Sequence, residues 1–341
     1  MRLGVRLPNW LGDALLARRA VDALAAAHGP EALTIAAPPA IVQLLAGDHP
    51  RAAWLATGHG LGAALALADA WKRTGVEQTI SFPTSFSSRL AGWRSGARGR
   101  LGLGPRPVGR REPEASLWLT RAVARAARGE RHLEDEYCDL AAAGGGAPAA
   151  RRRLTPPPAA AEAAAALLGD RGEAPYLAVA PGARYGPAKR WPAERFARAA
   201  DLAAAALGGA AVVLVGEAAD AAACAQVRDR LAAPPADLSG RTDLPTLAGV
   251  LAGARGVLAN DSGAAHLAAA LGVPTTVLFG STDPRWTAPR GPAVAILWHR
   301  LRCAPCFRRT CPWVDGYACL RVLDPEAAAA ALTALAPPTA A

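Results

Sequence analysis

Residues 176–192 read YLAVAPGARYGPAKRWP. The first five form a short apolar run closed by Pro181 and Gly182, the form of a buried strand of a parallel sheet. A loop carrying Lys189 and Arg190 follows, and a helical pattern of Ala, Leu and Arg opens after Pro192, over 193–207. Strand, glycine-containing loop and helix in that order make one βα unit. In doubly wound sheets, the loop beyond the strand's carboxyl end is where ligands bind. Glycine lets backbone approach a ligand closely, and two adjacent cations suit an anion. A solvated basic loop fits the same residues. The stretch is not the GxxxxGK[ST] phosphate loop, whose glycines and hydroxyl are missing.

The same alternation runs outward in both directions. In the first half, strand candidates lie at 3–7, 33–37, 53–56 and 78–82, with helical patterns at 13–28, 61–74 and 116–128. In the second half, strands are expected at 176–180, 211–215, 256–259 and 275–279, with helices at 193–207, 218–231, 262–271 and 325–335. Between the halves, Gly144-Gly145-Gly146-Ala147-Pro148, three arginines and Pro156-Pro157-Pro158 break both kinds of element. With 341 residues, more than one core usually serves, two α/β domains are expected, over 1–150 and 159–322, with a terminal helix and tail over 323–341.

A formal charge of +10 points to an anionic partner: a nucleotide, a phosphorylated glycolipid, a membrane surface or nucleic acid. Lysine occurs only at Lys72 and Lys189, which gives the second of these weight. The opening MRLGVRLPNWLGD is interrupted by Arg2, Arg6, Pro8 and Asp13 before a signal-peptide core could form, so no secretion is expected. The apolar stretch 202–216 is too short to span a membrane.

Four further segments hold candidate chemistry. Asp13 stands where the first strand passes into the first helix, either as an N-cap or as a carboxylate able to take a proton from a hydroxyl. The run 259–266, ANDSGAAH, opens another helix, whose first N–H groups and dipole suit phosphate. Ser262 and His266 share a helix face, but no GxSxG elbow accompanies them and a Ser there is ordinarily a cap. Ser85 and Arg89, followed by Arg94, Arg98, Arg100, Arg106, Arg110 and Arg111, form an aromatic-interleaved basic region without an RRM, KH or zinc-finger pattern. Glu134-Asp135-Glu136 reads as a solvated helix face rather than a metal-binding DxD. Cys303, Cys306, Cys311 and Cys319 have a spacing that suits a structural zinc ion, reduced thiols or disulfides. A cytoplasmic setting disfavours the last.

Taken together, PNWLGD at 8–13, PGARYGPAKRWP at 181–192, NDSGAAH with the following AAALGVP, and GSTDP at 280–284 resemble glycosyltransferase family 9, the ADP-heptose:lipopolysaccharide heptosyltransferases, and are closest to its type II branch. The resemblance covers residues 1 to about 325. It implies an α/β chain of GT-B fold, two Rossmann-like parallel-sheet domains facing a central cleft, the first for acceptor and the second for ADP-sugar. It implies an inverting transfer of heptose from ADP-heptose to the heptosyl-Kdo core of a phosphorylated lipid A acceptor, with no cofactor required for catalysis. On matching positions, Asp13 becomes the general base and Lys189, with Arg190 beside it, neutralises the diphosphate. Asp261, Ser262, Gly263 and His266 hold phosphates and donor sugar, and Glu217, after Gly216, reaches the ribose. Given the resemblance, Ser85, Arg89, Arg94 and Arg98 are expected to meet the anionic acceptor, at the cytoplasmic face of the inner membrane and without nucleic acid. The cysteine loop is expected to serve structure, apart from transfer. The competing readings are a GT-B transferase or epimerase for another sugar nucleotide, and a basic nucleic-acid-binding protein.

Overall fold

The computed structural model describes residues 1–107, 118–172, 174–314 and 316–336. The chain divides into two compact units, Met1–Arg152 and Arg153–Ala341. In the first, strands β1 (Leu3–Arg6), β2 (Leu33–Ala37), β3 (Ala53–Ala56), β4 (Gln78–Ser81), β5 (Gly99–Leu103) and β6 (Arg121–Val123) form one parallel sheet in the order β3-β2-β1-β4-β5-β6. Val5 of the central strand stands opposite Ile35 and Ile80, all three fully buried. Gly4 leaves the face of β1 open to the indole of the buried Trp71, which anchors a cluster with Leu67, Val76 and Leu90.

The second unit repeats the plan. Strands β7 (Tyr176–Ala180), β8 (Ala211–Leu214), β9 (Ala236–Asp237), β10 (Gly256–Asn260), β11 (Thr275–Phe279) and β12 (Val294–Trp298) lie parallel in the order β12-β11-β10-β7-β8-β9. Read from the β9 edge, this is the 3-2-1-4-5-6 order of the first sheet, that of doubly wound nucleotide-binding folds. Its order reverses between β7 and β10, as the first sheet's does between β1 and β4. The crevices at these two points, beyond the strands' carboxyl ends, are where ligands are expected. The terminal helix Pro325–Leu335 belongs to this unit's core: Ala328, Ala329 and Leu332 pack with Phe196, Leu258 and Leu278.

Three expectations are corrected. Residues 121–123 form β6 rather than helix, because their backbone completes the ladder of β5 through Leu101–Arg121 and Leu103–Val123. Local helix propensity is worth a few tenths of a kcal/mol per residue and yields to such pairing. Residues 116 and 117 of that pattern, like Arg110 and Arg111, lie outside the described residues. Glu134 and Glu136 are not solvated, with relative exposures of 3% and 1%. Glu136 accepts two bonds from Arg106 at 2.8 and 2.9 Å and one from Arg125 at 3.4 Å, while Glu134 accepts from Arg151 at 2.6 Å. Buried charge persists where it is paired in this way. Arg89 likewise turns inward, 2% exposed, and donates to the carbonyl of Leu103.

Among the described residues, no helix is long and apolar enough to cross a membrane.

Candidate functional site

In the second unit, the loops after β7, β8, β10 and β11 meet at the carboxyl edge of the sheet. Asn260, the last residue of β10, is fully buried and ties two of them: its Oδ1 accepts from the backbone N–H of Trp191 at 3.0 Å and its Nδ2 donates to the carbonyl of Pro181 at 2.7 Å. Both ends of the 181–191 loop are thus closed by one side chain. The next residue, Asp261, is 4% exposed and ion-paired to Lys189, Nζ to Oδ2 2.5 Å. Thr282, from the loop after β11, donates to the same oxygen at 2.6 Å. Lys189 also stands 5.0 Å from the ring centroid of Tyr185, a cation–π contact that further fixes its direction.

Ser262 begins the helix Gly263–Ala270, but its side chain does not cap it. The buried Ser262 Oγ has no hydrogen-bond partner among the described residues, so the cap reading is corrected. The first-turn N–H groups of a helix lack intrahelical acceptors, and with the dipole they favour an anion beside Lys189. His266, 7% exposed, follows on the same helix.

A carboxylate not singled out in the sequence organises the other side of the site. Asp220 is buried, accepts from the N–H of Glu217 at 3.2 Å and stands 3.7 Å from the Arg190 guanidinium. Its carboxyl group lies so close to Gly182 that a Cβ there would overlap it, and Gly216 faces its Cβ on the opposite side. Gly182 and Gly216 are therefore needed for close approach to Asp220. Glu217 itself is exposed and 3.7 Å from the equally exposed Arg184, a pair of little energetic consequence. Asp220 lacked a sequence signal, and Thr282, although inside GSTDP at 280–284, was not singled out, because each acquires its role from a partner on another strand's loop.

In the first unit, Asp13 lies in the first turn of the helix Leu11–His28, with Trp10 at the N-cap, so it is not the capping residue. The preceding loop is braced by Arg6, whose guanidinium donates to Asn9 Oδ1 and to the carbonyl of Leu7. Burial lowers the Arg6 pKa to about 10. Beyond β4, Tyr137 is buried and stacks edge-on against Phe82 with centroids 5.1 Å apart. Its hydroxyl is held well above the ordinary tyrosine range, first by burial and then by the negative charge of Asp13, which places the two groups in one neighbourhood. Arg106, Glu136 and Arg125 act on the same hydroxyl. Burial, and then the charge of Arg106, depresses the Arg125 pKa. Sequence reading missed Tyr137 and Arg125, since an Arg-rich composition says nothing of which arginines face inward.

Of the residues expected to meet an acceptor, Ser85 caps the helix Phe86–Arg94 through Ser88, and Arg89 braces β5. Arg94 and Arg98 are exposed. The four cysteines gather around one cavity of about 620 Å³ that Ala188, Ser281 and Trp313 also line. Cys303 and Cys306 are exposed, Cys311 is half-buried and Cys319 is buried. The Cys319 thiol is pushed up to about 11 by burial and then by the other three. Among the described residues, no three His, Cys, Asp or Glu side chains form a group that could hold a metal ion.

Residues 64–315 match the family model described as glycosyltransferase family 9 (heptosyltransferase). The chain is 35% identical over 130 residues to lipooligosaccharide heptosyltransferase 2 of Haemophilus influenzae, a match covering 37% of each chain. It is 48% identical over 73 residues to lipopolysaccharide heptosyltransferase 1 of Pseudomonas aeruginosa, 21% of each. These matches therefore span well under half the length of either relative. The solved structure of Escherichia coli ADP-heptose lipopolysaccharide heptosyltransferase II superposes with a TM-score of 0.79 at 24% identity, over 98% of both chains. That likeness shows the fold, which is of the GT-B class.

Proposed function

The chain belongs to glycosyltransferase family 9, and from that premise we propose that it transfers heptose from ADP-heptose to a heptosyl-Kdo core acceptor of lipopolysaccharide. The observation that carries the reading is the Lys189–Asp261–Thr282 cluster beside the open helix start at Ser262, at the reversal of strand order. It offers cation and N–H donors together, the combination that a diphosphate requires. In this reading Arg190, Ser262, Gly263 and His266 complete the contacts with phosphates and sugar, and Gly216 and Glu217 lie toward the ribose.

Transfer is a single displacement with inversion. Asp13 takes the proton of the acceptor hydroxyl as its oxygen bonds to the anomeric carbon. The bond from that carbon to the diphosphate oxygen breaks, and ADP leaves with the electron pair. Lys189 and the helix start stabilise the charge that grows on the diphosphate, the usual role of pre-set donors in a dry site. Arg94 and Arg98 face the anionic acceptor at the cytoplasmic side of the inner membrane.

The type II assignment draws support from the longer match to a heptosyltransferase 2. It predicts ADP release that depends on an acceptor already bearing one heptose, measured against acceptors with none and with two. Equal or faster release on the heptose-free acceptor would reverse the assignment. ADP release without any acceptor would favour hydrolysis, with water taking the sugar, and acceptor-independent conversion of ADP-heptose without ADP release would favour an epimerase.

We also propose that no metal takes part in transfer. The cysteine quartet has two readings, reduced thiols without metal, as the described side chains stand, or a structural zinc ion that draws the four together. Four thiolates would fill a tetrahedral shell and leave no position for substrate. Under the zinc reading, elemental analysis of protein purified under reducing conditions gives about one zinc per chain; under either reading EDTA is expected to leave turnover unchanged in the first minutes. Prolonged chelation, or Cys306→Ser, should lower the melting temperature more than it lowers turnover per folded molecule. Metal-free protein with four titrating thiols removes the zinc; rapid EDTA loss restored by Mg²⁺ removes the metal-independent mechanism.

A further inference from the structure

The backbone leading to Lys189 is held from outside. Between Pro181 and Trp191 the loop forms a turn at 184–185 and one short helical turn, Pro187–Lys189, and it rests on the segment that follows Cys306. The N–H of Ala188 donates to the carbonyl of Arg309 at 3.0 Å, and the Tyr185 hydroxyl donates to the carbonyl of Phe307. Gly186, at φ 144°, lies against the Arg309 carbonyl, where a side chain would not fit. The carbonyl of Ser281 accepts from Cys306 and Phe307 at 3.0 and 2.8 Å, and the N–H of Ser281 reaches the carbonyl of Ala188 at 3.3 Å. Arg309 stands 5.4 Å from the centre of the Tyr185 ring, which Lys189 also meets.

The cysteine loop is therefore not separate from the site, as the sequence led us to expect. Ala188 and Ser281 line the thiol cavity. Each is next in sequence to a member of the cluster on Asp261, namely Lys189 and Thr282. A change in the cavity has one peptide unit to cross before it moves the ammonium or the hydroxyl.

We propose that the cysteine loop positions the donor-anion loop, with Tyr185 as the positioning residue that couples them, and that the exposed thiols Cys303 and Cys306 are a modification site through which soft electrophiles weaken donor binding. This rests on the reading of Lys189 as a diphosphate contact. A loop pre-set by such bonds binds donor more tightly, because less ordering is left for the moment of binding. Loss of the positioning contact lowers affinity in ground and transition states alike, so it raises KM and spares kcat.

Two perturbations test it. Tyr185→Phe removes the bond to Phe307 and keeps the ring beneath Lys189; it is expected to raise donor KM and ADP Kd about three- to tenfold. The acceptor KM and the kcat at saturating donor should stay within twofold. Separately, chelated enzyme treated with iodoacetamide should gain a thioether at Cys303 and Cys306 as each thiolate displaces iodide, located by peptide mass spectrometry. Relative to chelated, unalkylated enzyme, ADP Kd should then rise by a similar factor with no further fall in melting temperature, and Cys303→Ser/Cys306→Ser enzyme should not respond to the reagent. Unchanged ADP Kd after either perturbation overturns the coupling, and failure of the two thiols to react overturns the modification site. Lys189→Ala is the control for the underlying reading. If it too leaves ADP Kd unchanged, the diphosphate contact falls; if it weakens ADP while Tyr185→Phe does not, only the positioning role falls.

Discussion

Asp13→Asn is expected to cut turnover by about 10²-fold or more, the scale of a lost general base, while melting temperature and ADP affinity stay as they were. The substitution keeps size and shape, and Trp10 rather than Asp13 occupies the N-cap of the helix Leu11–His28. What changes is the capacity to accept a proton. The surroundings supply a second reason for a large effect. The neighbouring Tyr137 is buried and its hydroxyl stays protonated, so it cannot substitute as a base near neutral pH. Arg106 and Arg125 both pair with Glu136 in the same neighbourhood. Single-turnover rates with preformed ADP-heptose complex would separate the chemical step from binding; near-normal rates would leave Asp13 with a structural role only.

The parallel sheets were legible where a strand is a short apolar run closed by Pro or Gly, as at Tyr176–Ala180 and Thr275–Phe279. They were not where the strand is short or poor in apolar side chains, and the apolar run Val294–Trp298 was missed as well. Gly99–Leu103 carries two glycines and an arginine, Ala236–Asp237 is two residues long, and Arg121–Val123 has a composition that favours helix. Each is a strand because its neighbour's ladder needs a partner, a tertiary cause absent from local pattern. The candidate site shows the same division. Lys189 and Asp261 stand out as rare or motif residues, but their direct pairing does not, because the two come from loops after different strands. Asp220 stayed hidden for the same reason, and Thr282, though inside GSTDP, showed no role until its bond to Asp261 was seen. Arg89 and Glu136 were misplaced at the surface because charge in a sequence predicts solvation unless its partner is known.

Lys189→Ala should weaken ADP-heptose binding by about 10- to 100-fold, because a charge-assisted contact to diphosphate contributes on the order of 1.5 to 3 kcal/mol. The structure shows why the single variant overstates the contact. Asp261 is 4% exposed and pairs with Lys189 through the oxygen that Thr282 also serves. Removing the ammonium leaves this carboxylate buried with a hydroxyl alone to face it, and its charge then opposes the incoming diphosphate. Part of the loss should therefore be recoverable by neutralising Asp261. In Lys189→Ala/Asp261→Asn the amide keeps a bond to Thr282 and removes the repulsion, so ADP affinity is expected to rise severalfold above that of Lys189→Ala, though not to the original value. The four proteins form a double-mutant cycle, with Kd for ADP from calorimetry as the readout. Additive losses would mean that Asp261 and Lys189 act on the donor independently. A double variant that binds ADP as tightly as the unaltered chain would mean that Lys189 serves only to neutralise Asp261, and the diphosphate would then have to be held by Arg190 and the helix start at Ser262.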